Sequence, residues 1–343
     1  MRAVILEKFG GAEHLADATL PMPAVGGDDV LIRVKAVGFN PTDYQLRQNG
    51  HPSLKPPVVL GRDVAGVVEA CGANVRDLNP GDAVFANLVP RWLGGYAEYV
   101  AAPACYVALK PVSLSFAEAA SVPVAAMTAL CALRRARPDA SKSLLVASGA
   151  GGVGSWAIGF AKAFSITRIV TTAGSDASRG YIKDVLGIDA ARIVDYRGRG
   201  RADLAQATIA ANGGLFEIAL DCVGGAMTHL CCDVVAFEGD VVSVVNGPKD
   251  QSRAPAEADE DQLFDRSAAF HFEMISAIAY GAPAERQGIY RERLRDIAGH
   301  IERGAVRLPA VTTLGPLSAA TVREAHRRLE SGHTIGKLVA TVD

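Results

Sequence analysis

The stretch Leu144–Gly154, LLVASGAGGVG, sets Gly149-x-Gly151-x-x-Gly154 directly behind a run of apolar and small residues. Its reading decides the fold. A parallel strand delivers the chain to the carboxyl edge of a sheet, and the helix after it presents unpaired N–H groups and the positive end of its dipole. A pyrophosphate fits there if no side chain blocks it. Gly149 is expected to make the tight turn, Gly151 to let the backbone approach the phosphates and Gly154 to let helix pack on strand. Gly149, Ala150, Gly151, Gly152, Val153 and Gly154 are therefore the candidate cradle of a dinucleotide. With 35 glycines in 343 residues a chance match is common, so the argument rests on context: an apolar strand before the glycines and a helical pattern, GVGSWAIGFAKAF, after them.

The pattern on either side of this turn differs. Up to about Pro111 short alternating or apolar runs (AVIL, DVLIRVKAVGF, DVAGVVEACG, DAVFA) are punctuated by Gly, Pro and Asp at strand spacing, which predicts a β-rich domain. SFAEAASVPVAAMTALCALRRA then has helical spacing, with Ser115 and Glu118 placed as a capping box. From SLLVAS onward strands and helices of about ten residues alternate as far as DVVSVVN, the signature of a doubly wound parallel sheet. Gly247–Phe264 is polar and acidic and reads as an exposed loop. AAFHFEMISAIAY fits strand or helix, two amphipathic helices end at Gly304 and Gly332, and GKLVATV closes as a strand returning to the first sheet. The expected division is 1–119 with 271–343 as one domain and 120–270 as the dinucleotide-binding domain, an α/β protein overall.

Composition excludes several classes. A formal charge of -2 and short, glycine-broken basic clusters such as Arg197–Arg201 give nucleic acid nothing to hold. No apolar run reaches the roughly 18 residues of a membrane span, and the expected location is the cytoplasm. Six cysteines without a C-x-x-C pair read as free thiols, and the seven dispersed histidines contain no H-E-x-x-H, so no metal is expected.

The next strand end selects the cofactor. An NAD site places Asp or Glu about 20 residues after the glycines, on the ribose hydroxyls. Here Thr172, Ala173, Gly174 and Ser175 occupy that place. Ser175 and Arg179 suit a 2′-phosphate, which favours NADPH over NADH; Asp176, whose charge would repel that phosphate, is expected to cap the following helix and point away.

The order AVGFNPTDYQLRQNG, PPVVLGRDVAGVVEACGANVRDLNPGDAVFA, GGYAEYV, SGAGGVGSWAIGFAKA, VDYR, LDCVGG and GKLVATV resembles the medium-chain dehydrogenase/reductase superfamily, specifically its zinc-independent quinone oxidoreductase branch. The resemblance implies a GroES-like β-rich catalytic domain joined to a Rossmann domain. Zinc enzymes of the superfamily carry Cys where this chain has Asn40 and His-Glu where it has Arg62-Asp63. Three metal ligands are not available there, and hydride transfer to a quinone or a carbonyl-conjugated alkene becomes the accessible chemistry.

By the same resemblance Asn40 is the active-site asparagine, donating to the acceptor oxygen or holding the nicotinamide ribose. Tyr44 is the candidate proton donor, one position before the tyrosine of relatives, where this chain has Gln45. Thr128 matches a position near the nicotinamide, Tyr196 one near the adenosine phosphate, and Val245-Asn246 the strand end that holds the nicotinamide amide. Asp43 and Arg47 are expected to form a bracing ion pair. PRWLGG and residues 250–290 are expected to help wall the substrate pocket, and the resemblance guides least there. Ser267–Ile275 matches the segment through which relatives form homodimers. An enoyl-thioester reductase and a non-catalytic NADPH-binding or structural protein are the alternatives to a quinone or alkene reductase acting on a small molecule. Tyr106-x-x-x-Lys110 has the spacing of a short-chain dehydrogenase pair but precedes the glycine turn on an apparent strand, so packing is the expected role.

Overall fold

The computed structural model describes residues 1–89, 93–245 and 257–343. These form two compact units. Met1–Met127 with Ser276–Gly304 and Leu308–Asp343 make the first, and Thr128–Ile275 with Ala305–Arg307 make the second. The chain changes unit at Met127/Thr128, inside the helix Pro123–Arg135, and at Ile275/Ser276, where the sequence reading sets the changes at 119/120 and 270/271. A helix interior carries no turn residue to mark such a boundary.

The first unit is built on a seven-stranded sheet. Its path runs Val311–Pro316, Lys337–Thr341, Asp29–Phe39, Asp63–Cys71, Ala83–Asn87, Val107–Leu109, and Tyr99–Pro103 also pairs with Asp29–Phe39. All pairings are antiparallel except that of Val311–Pro316 with Lys337–Thr341. A second, three-stranded sheet joins Leu15–Thr19, Arg2–Leu6 and Val58–Val59. The central strand, DVLIRVKAVGF, leaves Asp29, Arg33 and Lys35 at least partly exposed and is buried from Ala36 to Phe39. The reason lies at Gly38, where a Cβ would sit 2.1 Å from the Ala120 carbonyl oxygen: the helix Phe116–Ala120 presses directly on the strand. Val30, Ile32, Val64, Val84 and Leu338 form the core of this unit.

The second unit is a six-stranded parallel sheet in the order Ile193–Asp195, Arg168–Ala173, Ser143–Ala147, Phe216–Asp221, Val235–Ser243, Ala269–Phe272. Helices Gly152–Ala163, Asp176–Asp184, Arg201–Asn212 and Ala226–Val234 connect the strands. Ser143–Ala147, the strand before the glycine turn, is buried at every residue, as a central parallel strand must be. The doubly wound sheet and the β-rich partner are therefore both present.

Some local expectations need correction. The long helical pattern after Ser115 is two helices, Phe116–Ala120 and Pro123–Arg135, because Pro123 has no N–H to continue the first. The capping box itself forms: Ser115 Oγ accepts from the Glu118 N–H and Glu118 accepts in return. Within the expected Gly247–Phe264 loop, Glu257–Asp265 is a helix, while 246–256 lie outside the described residues. The acidic composition concealed it. Buried Leu263 anchors it in the core, and buried Asp259 takes hydrogen bonds from Arg201 and pairs with His229. AAFHFEMISAIAY divides into the strand Ala269–Phe272 and the helix Ala277–Gly281.

All six cysteines are free. Among the described residues no helix is long and apolar enough to cross a membrane. Tyr106 and Lys110 do not face each other: the tyrosine hydroxyl donates to Gln287 and the ammonium to the carbonyls of Pro111 and Leu114.

Candidate active site

The glycine turn sits at the carboxyl end of the central strand of the parallel sheet, and each glycine has its own reason to be there. The left-handed residue of the turn is Ser148 (φ 68°), not Gly149. Gly149 is required by packing instead, since a Cβ would lie 2.3 Å from Thr171 Oγ1 of the neighbouring strand. At Gly154 a Cβ would lie 2.1 Å from the Ser148 carbonyl oxygen, so the helix closes onto the turn only because that atom is missing. Gly151 differs. Its Cβ would meet nothing nearer than 3.7 Å, which leaves the space above it open. Gly151 is also the N-cap of Gly152–Ala163, so the first-turn N–H groups of Gly152, Val153 and Gly154 point from this opening with the dipole behind them. An anionic pyrophosphate fits these residues.

Beside the central strand, two strand ends lie in register, Ala173 beside Asp195. Ser175 caps the helix Asp176–Asp184, its Oγ accepting from the Ser178 N–H at 3.1 Å. The expected cap, Asp176, lies in the first turn instead, exposed and paired with Arg197 at 3.0 Å. Arg179 follows on the same helix, half-buried. The Tyr196 ring crosses the strand end over Gly174, where a Cβ would lie 2.0 Å from its hydroxyl oxygen. Gly174 thus makes room for the tyrosine, a relation that spacing alone did not show.

At the third strand end, buried Asp221 organises the loops. One oxygen accepts from the N–H groups of Val223 and Gly224, the other from the hydroxyls of Thr228 and Ser243. Val245 packs where a Cβ on Gly224 would come within 3.0 Å, and Gly224 has φ 88°. Asn246, and Pro90–Trp92 of the PRWLGG segment, lie outside the described residues. Thr128 is buried in the helix Pro123–Arg135.

The first unit, taken by itself, holds a buried polar cluster around Asn40. Asn40 is the N-cap of Pro41–Asn49, and its N–H donates to Asp43 Oδ2 at 2.9 Å. Its side chain is engaged on both sides: Nδ2 donates to Asp63 Oδ2 at 2.9 Å, and Oδ1 accepts from Lys337 Nζ. Asp63, with no exposed surface, also accepts from the Val124 N–H at 3.0 Å and lies 3.5 Å from the Lys337 ammonium. Burial pushes the Asp63 carboxyl up and the Lys337 ammonium down, and each charge opposes the shift of the other. Arg62 donates to the Leu88 carbonyl and to the side chains of Asn87 and Ser276. Lys337 was not singled out in the sequence reading, since 297 positions separate it from Asn40.

Asp43 and Arg47 do not form the expected ion pair. Arg47 turns to Glu330, the Gly10 carbonyl and His326 Nδ1, while Asp43 stays on the Asn40 side with its Oδ1 unpartnered. Four positions apart they share a helix face, but Asp43 is drawn back to its N-cap while Arg47 is drawn away to Glu330 and His326. Burial pushes the Asp43 carboxyl up to about 7. Burial and the Arg47 charge hold His326 down at about 3, a neutral ring. Tyr44 is half-buried on the same helix, and burial raises its phenol, keeping it protonated at neutral pH.

Zinc does not fit this cluster. Among the described residues no group of three or more His, Cys, Asp or Glu side chains could hold a metal ion. Asp63 already carries an ammonium, an amide and a backbone N–H, so a metal bound to it would have to displace a buried cation.

Two family models match the chain, the alcohol dehydrogenase GroES-like domain over residues 26–112 and the zinc-binding dehydrogenase model over residues 188–339. A chloroplastic NADPH-dependent alkenal/one oxidoreductase of Arabidopsis thaliana is 31% identical over 99% of this chain and 79% of its own. Among solved structures, a quinone oxidoreductase from Coxiella burnetii superposes with a TM-score of 0.82 at 28% identity, covering 100% of this chain and 99% of that one. A structure described as an NAD-dependent alcohol dehydrogenase gives a TM-score of 0.85 at 29% identity, with complete coverage of both. The chain belongs to the medium-chain dehydrogenase/reductase superfamily.

Proposed function

We propose that the protein is an NADPH-dependent oxidoreductase that reduces a small quinone or carbonyl-conjugated alkene without zinc. The observation that carries the metal-free reading is the Asn40–Asp63–Lys337 cluster, in which a lysine ammonium holds the carboxylate that a metal would need. The NADPH-dependent alkenal/one oxidoreductase and the quinone oxidoreductase among the similar proteins support the substrate class.

Gly149, Ala150, Gly151, Gly152, Val153 and Gly154 hold the pyrophosphate, with Ser175, Arg179 and Tyr196 at the adenosine and Thr128, Val245 and Asn246 on the nicotinamide side. Bound there, the reduced cofactor supplies hydride to an acceptor that is already electron-poor. Asn40 is held in one orientation by Asp63 and Lys337, which suits a group that positions ribose or an acceptor oxygen. Tyr44, neutral at physiological pH, is the proton donor.

Free cysteines support a reducing compartment, the cytoplasm. The strand Ala269–Phe272 ends the parallel sheet with one edge unpaired among the described residues, and Phe272 and Met274 beside it are exposed, which supports a homodimer through this edge.

The test is anaerobic oxidation of NADPH and NADH against several quinones, an alkenal and a crotonyl thioester, before and after dialysis against a chelator. NADPH-specific turnover of quinone or alkenal that survives chelation is expected. Turnover of the thioester alone would make the protein an enoyl-thioester reductase, loss on chelation would overturn the zinc-free account, and NADPH binding without turnover would leave a binding protein.

A further inference from the structure

The edge strand Ile193–Asp195 and its neighbour Arg168–Ala173 end side by side, and four charged groups collect just beyond them. Asp176 and Arg179 come from the helix after one strand, Asp195 and Arg197 from the end of the other. The Arg197 guanidinium lies across both carboxylates. Nε donates to Asp195 Oδ1 and Oδ2 at 3.1 Å each, and Nη2 donates to Asp195 Oδ2 at 2.6 Å and to Asp176 Oδ1 at 3.0 Å. The Arg197 N–H donates to Asp195 Oδ1 as well, at 2.9 Å. These bonds hold the Asp195 carboxyl down at about 2, so it stays charged under all ordinary conditions.

A carboxylate at this edge normally accepts from a ribose 2′-hydroxyl and repels a 2′-phosphate. Two carboxylates would argue strongly for NADH. Yet one guanidinium offsets one of the two charges and turns both carboxylates toward itself, and the Arg179 guanidinium remains for the phosphate.

We propose that Arg197 sets the 2′-phosphate preference of this edge by holding Asp176 and Asp195 away from the ribose, and so acts as a positioning residue for cofactor specificity. The inference rests on the NADPH reading above.

Titration calorimetry on the full chain with adenosine 2′,5′-bisphosphate and with 5′-AMP, at one fixed salt concentration, isolates the edge from catalysis. The wild-type chain is expected to bind the bisphosphate more tightly. Arg197→Ala should weaken the bisphosphate about tenfold and leave 5′-AMP unchanged, the size of one lost charge-assisted interaction. Arg197→Lys should restore part of the loss. Adding Asp176→Asn and Asp195→Asn to Arg197→Ala should restore most of it, because no carboxylate is left to restrain. Equal weakening of both ligands, no weakening, or a triple variant as weak as Arg197→Ala would each overturn the proposal. A wild-type chain that prefers 5′-AMP would instead overturn the NADPH reading itself.

Discussion

At the scale of single residues, the first unit is held by charges that have no access to water. Lys337 and Asp63 are both essentially buried, and each is tolerated because the other and Asn40 complete its hydrogen bonds. Lys337→Met leaves the carboxylate without its counter-charge and is expected to cost about 3–5 kcal/mol, read as a shift in the urea midpoint. Adding Asp63→Asn should recover part of that loss. The Asp43 and His326 groups make stability depend on pH in opposite senses. Asp43, raised to about 7, keeps its proton in the folded chain after the unfolded chain has lost it near 4, so its contribution to stability falls as pH rises from 4 to 7. His326, lowered to about 3, stays neutral while the unfolded chain takes up a proton below about 6.5, so its contribution falls as pH drops from 6.5 to 3. Asp43→Asn removes the first effect alone. Its unfolding free energy relative to wild type should therefore improve between pH 5 and pH 7, by at most about 1.4 kcal/mol per pH unit; a difference that is flat with pH would show that Asp43 does not titrate in this range.

At the scale of elements, the glycine turn separates folding from binding. Gly154 and Gly151 look alike in the motif, but only Gly154 has a backbone carbonyl where its Cβ would go. Gly154→Ala should destabilise the protein by about 1–3 kcal/mol. Gly151→Ala should leave the melting temperature unchanged and weaken NADPH about tenfold or more, because its methyl group enters only the open space where we propose the phosphates bind. Thermal unfolding and a fluorescence titration on both variants check the contrast. The strands and most helices were legible because burial imposes a period on the sequence, while the helix Glu257–Asp265 was not. Its few buried residues, Leu263 and Asp259 among them, are too sparse to show through the acidic residues around them.

For the whole molecule, two units are built from a chain that leaves the first and returns to it. Lys337–Thr341 completes the sheet begun by Asp29–Phe39, with Leu338 opposite Phe39. The parallel sheet of the second unit leaves Ala269–Phe272 as an edge, and Phe272→Lys places a charge there. Sedimentation velocity at micromolar concentration should show the chain moving from dimer toward monomer with NADPH affinity unchanged. A dimer that persists would mean that the chains associate elsewhere.

The amino-acid sequence alone determined the β-rich and parallel-sheet architecture, the strand–turn–helix around the glycines and the family, because alternation, helical period and glycine spacing are local consequences of burial and backbone geometry. It also placed Asn40, Ser175 and Tyr196 as candidates. Only the tertiary structure decided what these residues touch: that Asn40 is locked between Asp63 and Lys337, that Arg47 turns from Asp43 toward Glu330, and that Arg197 draws Asp176 and Asp195 together. Such pairings join residues distant in the chain, and a charge's partner is selected by where packing shuts out water, which no local pattern records.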